Sequence, residues 1–140
     1  TQTEYKLLLE VLAIETYSKE EDQMIDYLLS FFEKHGIRAW RDDMGNVYAE
    51  KGEVDALSHF PLVVAHTDTV HRIHGNQIIP KKLLLPNFAG ELKPSLQGYD
   101  QDGNPVGLGA DCKVGIAICL MHFLRQLQPA MPSAHLLHHC

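Results

Sequence analysis

Apolar residues recur at helical spacing in the first segment, Glu4 to Ile14, where Leu7, Leu8, Val11 and Leu12 form one stripe. That pattern predicts an amphipathic helix. A second stripe follows in Met24, Ile25, Leu28, Leu29 and Phe32. Ser18 and Glu21 have the spacing of a capping box, in which each side chain satisfies a free backbone N–H, so the second helix is predicted to open at Ser18. Gly36, directly after Lys34 and His35, reads as a left-handed stop with basic residues in the last turn.

Beyond Gly36 the period changes. Ile37 to Arg41 and Asn46 to Ala49 read as two short strands joined by a turn at Asp43, Met44 and Gly45. Leu62 to Ala65 is a dense apolar run, as expected for a strand covered on both faces. Residues 76–100 mix apolar pairs with Pro80, Pro86, Gly90 and Pro94, which predicts short strands and loops on the rim of a sheet. A turn-rich stretch from Gly98 to Gly109 leads to a buried helix from about Lys113 to Leu127. Helix, helix, strands, buried strand and helix, in that order, predict an α/β fold with a mixed sheet sandwiched by helices.

Composition narrows the function classes. A chain of 140 residues fits one domain or part of a larger one. With 45% hydrophobic and 21% charged residues it is expected to fold rather than stay disordered. The net charge is −6 and Lys81-Lys82 is the only adjacent basic pair, which argues against a nucleic-acid partner. Three cysteines, Cys112, Cys119 and Cys140, form no CxxC pair and read as reduced thiols of a cytoplasmic protein. The most apolar segment, Val114 to Leu124, is far shorter than the ~20 residues of a membrane helix. No signal-peptide pattern is visible, and the start at Thr1 suggests a removed or trimmed initiator.

The chemistry concentrates in two strings, PLVVAHTDTVH and GLGADCKVGIA. In the first, an apolar strand runs straight into His66, Thr67 and Asp68. Residues two apart on a strand project to the same side, so His66 and Asp68 can converge at the carboxyl end of the strand, where open α/β sheets place ligands. An imidazole that ligates zinc needs its other nitrogen held by a carboxylate or carbonyl, and Asp68 is spaced for that. The alternative is a strand-end histidine beside a solvated turn carboxylate. In the second string Gly107 and Gly109 approach Asp111 at the start of an apolar helix. Asp111 is either an N-cap or a carboxylate that bridges two cations.

Together the two strings resemble the co-catalytic zinc peptidases that include peptidase T-like tripeptide aminopeptidases and related amidohydrolases. ETYSKEEDQMIDYLLSFFEKHGI and DDMGNVYAEKG are similar to that family's opening helices and first hairpin, and the resemblance runs from Glu4 to about Leu127. It implies a zinc-exopeptidase-like catalytic domain of which residues 1–140 are the N-terminal part, without the lid or dimerisation domain. By it, His66 ligates one zinc, Asp68 is the catalytic residue that orients that ligand, and Asp111 bridges two zincs. The implied activity is hydrolysis of peptide or amide bonds, with short peptides as substrates. Cys112 stands where many relatives carry Asp, Met or Asn. It reads as a packed thiol, with adventitious zinc ligation or oxidation as the alternatives. His71 and His74 match no ligand position.

Relatives continue into a strand ending in a Glu pair, which supplies the general base and a further ligand. The tail QPAMPSAHLLHHC contains no plausible strand of that kind. Leu136 to Cys140 can be encoded so that reading one nucleotide later yields Phe-Phe-Thr-Thr, which suggests an out-of-frame tail; the coding sequence past Cys140 tests this. A competing reading makes His135, His138, His139 and Cys140 a metal-binding tail. A catalytically incomplete chain with exposed strand edges is further expected to self-associate as a homo-oligomer.

Overall fold

A computed structural model describes residues 1–17, 21–52, 61–69, 78–125 and, as backbone, 133–138. The first helix, α1, is Gln2–Ala13. Thr1 caps it: the Thr1 hydroxyl accepts from the Glu4 N–H at 3.3 Å, and the amino terminus donates to the Glu4 carboxylate at 2.9 Å. This is the reciprocal box spelled by TQTE, an N-terminal signal that the stripe-based boundary at Glu4 passed over. The second helix, α2, is Asp22–Lys34. Its N-cap is Glu21, which makes no side-chain cap hydrogen bond, so the helix opens later than the capping box expected at Ser18; Ser18 itself lies outside the described residues. Gly36 adopts φ +66° and stops the helix as its position predicts.

Strands β1 (Arg38–Arg41) and β2 (Val47–Lys51) form the expected hairpin. Asp42 holds its turn, accepting from the N–H groups of Met44 at 3.0 Å and Asn46 at 2.9 Å. Strand β3 is Leu62–His66, β4 and β5 are Ile79–Pro86 and Leu92–Tyr99, and β6 is Pro105–Val106. Helix α3 is Ala110–Leu124 and strand β7 is Ser133–His138. The main sheet has the order β1-β2-β7-β3, with β7 antiparallel to β2 and parallel to β3. It is therefore mixed, as predicted. The tail does form a strand, although one without a Glu pair: Ser133–His138 fills the slot between β2 and β3, where its backbone is paired on both sides.

Helices α1, α2 and α3 share one core with Val47, Ala49 and Ala65 of the sheet. Phe32 of α2 and Phe123 of α3 meet edge to face, 5.3 Å between centroids, and both are buried. Each such side chain contributes about 1.5–3 kcal/mol by leaving water. The described helices thus lie on one side of the sheet. On β3 the burial alternates: Ala65 is buried, while Leu62 and Val64 remain 58% and 48% exposed. The strand predicted to be covered on both faces is covered on one among the described residues.

The 76–100 region differs more. Instead of short rim strands, β4 and β5 pair over eight residues each as a regular antiparallel hairpin, and with β6 they make a separate three-stranded sheet. Among the described residues β4 is an edge strand with one side free of ladder bonds, so Pro80 and Pro86 are tolerated there. Pro94 sits where β5 has β4 alone as neighbour, since β6 pairs only with Gly98 and Tyr99. Among the described residues no helix is long and apolar enough to cross a membrane.

Candidate metal centre

His66 is the last residue of β3, and the chain leaves the sheet there through Thr67, Asp68 and Thr69. Thr69 pins that exit to the segment after α1: its N–H donates to the Thr16 carbonyl at 2.7 Å, and its hydroxyl to the same oxygen at 3.2 Å. Thr16 and Thr69 are both buried. With the exit fixed, Asp68 folds back on His66. The imidazole Nδ1 lies 3.2 Å from Asp68 Oδ1 and 3.2 Å from the Asp68 carbonyl oxygen. A proton on Nδ1 satisfies these acceptors and turns the Nε2 lone pair outward.

Asp111 arrives from the other side. Gly109 has φ +64°, and a Cβ built on it would fall 2.6 Å from Thr69 Cγ2. Only glycine both takes that left-handed turn and lets the loop press against the β3 exit. Asp111 itself is not the N-cap. The cap position is Gly109, with no side-chain cap hydrogen bond, and Asp111 (φ −93°, ψ 101°) and Cys112 (φ −118°, ψ 35°) depart from helical geometry. This irregular first turn frees the Asp111 side chain, 96% exposed, to set Oδ1 3.1 Å from His66 Nε2. The imidazole is thereby held between two carboxylates. Partial burial disfavours its charged form, but the hydrogen bonds to Asp111 and Asp68 outweigh that, and its pKa is raised above the ordinary value.

His66, Asp68 and Asp111 line a cleft of about 420 Å³ together with Thr69 and Leu108. The three residues predicted from sequence are therefore brought together. Cys112 joins them: a ring nitrogen of His66, a carboxylate oxygen of Asp111 and Cys112 Sγ all lie within 4.8 Å of one another. The expectation of a packed thiol is met in that Cys112 rests against the core, yet its sulfur also faces the donor group. His71 and His74 lie outside the described residues, as do His139 and Cys140 and the side chains of His135 and His138.

The donors fit zinc. Two first-row ligands bound at ~2.0–2.1 Å in a tetrahedron stand about 3.3 Å apart, and Nε2 and Oδ1 are already 3.1 Å apart. Imidazole and carboxylate are both ordinary zinc ligands.

A further residue went unnoticed in the sequence. Lys113 is fully buried at the start of α3, and its amine donates to the Leu12 carbonyl at the end of α1, 3.3 Å away. Burial lowers its pKa to about 8, against the opposing pull of Glu15. The available signal was a lone charge in the otherwise apolar run after Asp111.

No protein-family model matches the chain, and no curated protein matches it. Solved structures do. The aminoacylhistidine dipeptidase of Vibrio alginolyticus superposes with a TM-score of 0.67 at 22% identity, over 96% of this chain and 26% of that one. Aminopeptidase PepT of Bacillus cereus gives 0.69 at 18% identity, over 97% of this chain and 35% of that one. A tripeptidase of Staphylococcus aureus gives 0.65 at 19% identity, with 97% and 35% covered. The chain has the α/β fold found in these peptidases and spans about a quarter to a third of their lengths.

Proposed function

We propose that this chain carries the front part of a dinuclear zinc site for hydrolysing peptide or amide bonds, with short peptides entering an aminopeptidase-type cleft. The observation that carries the reading is the alignment of Asp68, His66 and Asp111 at the carboxyl end of β3, with contacts of 3.2 and 3.1 Å. The solved structures sharing the fold are a dipeptidase, an aminopeptidase and a tripeptidase, which supports the substrate class.

In this reading His66, through Nε2, and Asp111 would hold the zinc, with Asp111 as the carboxylate common to both ions. Asp68 positions the imidazole by accepting a hydrogen bond from Nδ1–H. Bound zinc supplies Lewis-acid polarisation of the scissile carbonyl and activation of water near neutral pH. Leu108 and Thr69 line the same cleft and would form part of the wall facing a bound peptide.

A second reading is favoured by one observation. Besides Asp68 and Asp111, no carboxylate among the described residues lines the cleft, so none is free to act as general base. The chain would then bind metal without turnover. Zinc stoichiometry and tripeptide hydrolysis, measured on the purified chain with and without His66→Ala, separate the two. Turnover lost in the variant supports the hydrolase, and zinc binding without turnover supports the incomplete site. Absence of His66-dependent zinc binding removes both.

A further inference from the structure

The resemblance assigns two ligands in this chain, one short of the three protein ligands a catalytic zinc ordinarily has. The geometry points to a third: we propose that Cys112 Sγ completes a His66–Asp111–Cys112 site for one thiophilic divalent cation of the zinc class. The inference rests on the zinc reading of His66 and Asp111, and adds a ligand to it.

Three observations carry it. First, the three donor atoms lie within 4.8 Å of one another. A tetrahedral zinc with Zn–N and Zn–O near 2.0 Å and Zn–S near 2.3 Å would hold its ligands about 3.3–3.6 Å apart, so each donor needs to close in by roughly 1 Å or less. Asp111, almost wholly exposed, has the freedom to do so.

Second, the sulfur occupies a built notch. Gly115, one turn along α3, has no side chain, and a Cβ placed there would lie 2.4 Å from Cys112 Sγ and 3.3 Å from Ala65 Cβ. The missing methyl group lets the thiol lie over the helix, beside the end of β3 and next to the residue that precedes His66. With any larger residue at 115, the sulfur would have to swing away.

Third, the donor set has a chemical preference of its own. One imidazole, one carboxylate and one thiolate suit zinc or cobalt far better than magnesium, calcium or manganese, which favour all-oxygen sites. Asp68 already fixes the remaining imidazole nitrogen, so the orienting partner that such a site requires is present. A set of three also leaves one tetrahedral position open.

Cobalt(II) titration of the full chain tests this, in a Cys140→Ser background that removes the tail thiol. The expected result is a visible d–d spectrum and a near-ultraviolet sulfur-to-cobalt charge-transfer band that saturates together with it at one equivalent. Cys112→Ser abolishes the charge-transfer band and weakens binding by at least ~10-fold, while Gly115→Ala, which displaces the thiol without removing it, reduces both. One measurement needs no further variant: stoichiometric zinc should shield Cys112 from alkylation, as mapped by mass spectrometry.

A d–d spectrum without the sulfur band, unchanged alkylation of Cys112, or a band that survives Cys112→Ser overturns the thiolate ligand while leaving His66 and Asp111 standing. Absence of any cobalt spectrum overturns the metal site as a whole.

Discussion

His66 Nε2 sits 3.1 Å from Asp111 Oδ1, across 45 residues of chain, while Asp68 holds the opposite ring nitrogen at 3.2 Å. Two carboxylates on one imidazole favour its charged form in the metal-free protein. NMR titration of that protein should give His66 a pKa above its ordinary value. Asp111→Asn and Asp68→Asn should each lower it. The sign for stability follows. A histidine with a raised folded pKa adds stability that is fully present below the unfolded pKa and is lost as pH rises through the folded one. A His66 pKa unmoved by both substitutions would falsify the paired geometry.

Lys113 has the opposite sign. Its folded pKa, about 8, is below the usual 10.5, so between those values the unfolded chain binds the extra proton and stability rises with pH. The drop corresponds to roughly 3 kcal/mol of burial penalty at neutral pH. Lys113→Met relieves that penalty but leaves the Leu12 carbonyl without its donor, at about 1–3 kcal/mol. Near pH 7 the variant should therefore be close to neutral or modestly stabilised. Urea melts at pH 7 and pH 10 provide the measure: the variant should lose its advantage at the higher pH, and a constant difference would contradict the buried cation.

Gly109→Ala should destabilise the fold by about 2–4 kcal/mol, combining a left-handed backbone with a methyl group forced against Thr69. Gly36→Ala is the control. It has nearly the same φ, +66°, and nothing within 4 Å of the added Cβ, so only the backbone penalty of about 1–2 kcal/mol applies. Thr69→Ser removes Cγ2 and keeps the hydroxyl bond to Thr16, and it should partly rescue Gly109→Ala. Chemical denaturation of the four proteins forms a double-mutant cycle; strict additivity is the unfavourable outcome.

Leu62 and Val64 project from β3, an edge strand among the described residues, with about half their surface in water. Such an edge invites pairing or apolar contact. Sedimentation at rising concentration should show self-association, and Val64→Lys should suppress it without altering the helical circular dichroism. A monomer at all concentrations argues against this face as a contact.

Much of the fold was legible because its signals are local. The stripes of α1 and α2, the stop at Gly36 and the turn before β2 each follow from a few neighbouring residues. Other features depended on neighbours distant in sequence. Prolines at 80, 86 and 94 look like breakers until the edges of the β4–β5 sheet remove the need for their N–H groups. The tail acquires a strand because β2 and β3 present a slot that satisfies both of its edges.

The site divides along the same line. From the sequence alone came His66 at a strand end, Asp68 two residues on, and Asp111 at a helix start, since alternation and helix-boundary chemistry are written in adjacent residues. The choice between cap and site for Asp111 was tertiary. The Gly109–Thr69 contact brings the loop to the β3 exit, and the irregular first turn of α3 turns the carboxylate toward His66 rather than toward its own backbone. The position of Cys112 was tertiary too, because it is set by the absence of a side chain at Gly115 and the proximity of Ala65. Donor types are a property of the chain, whereas donor distances exist only after packing closes 45 residues into 3.1 Å.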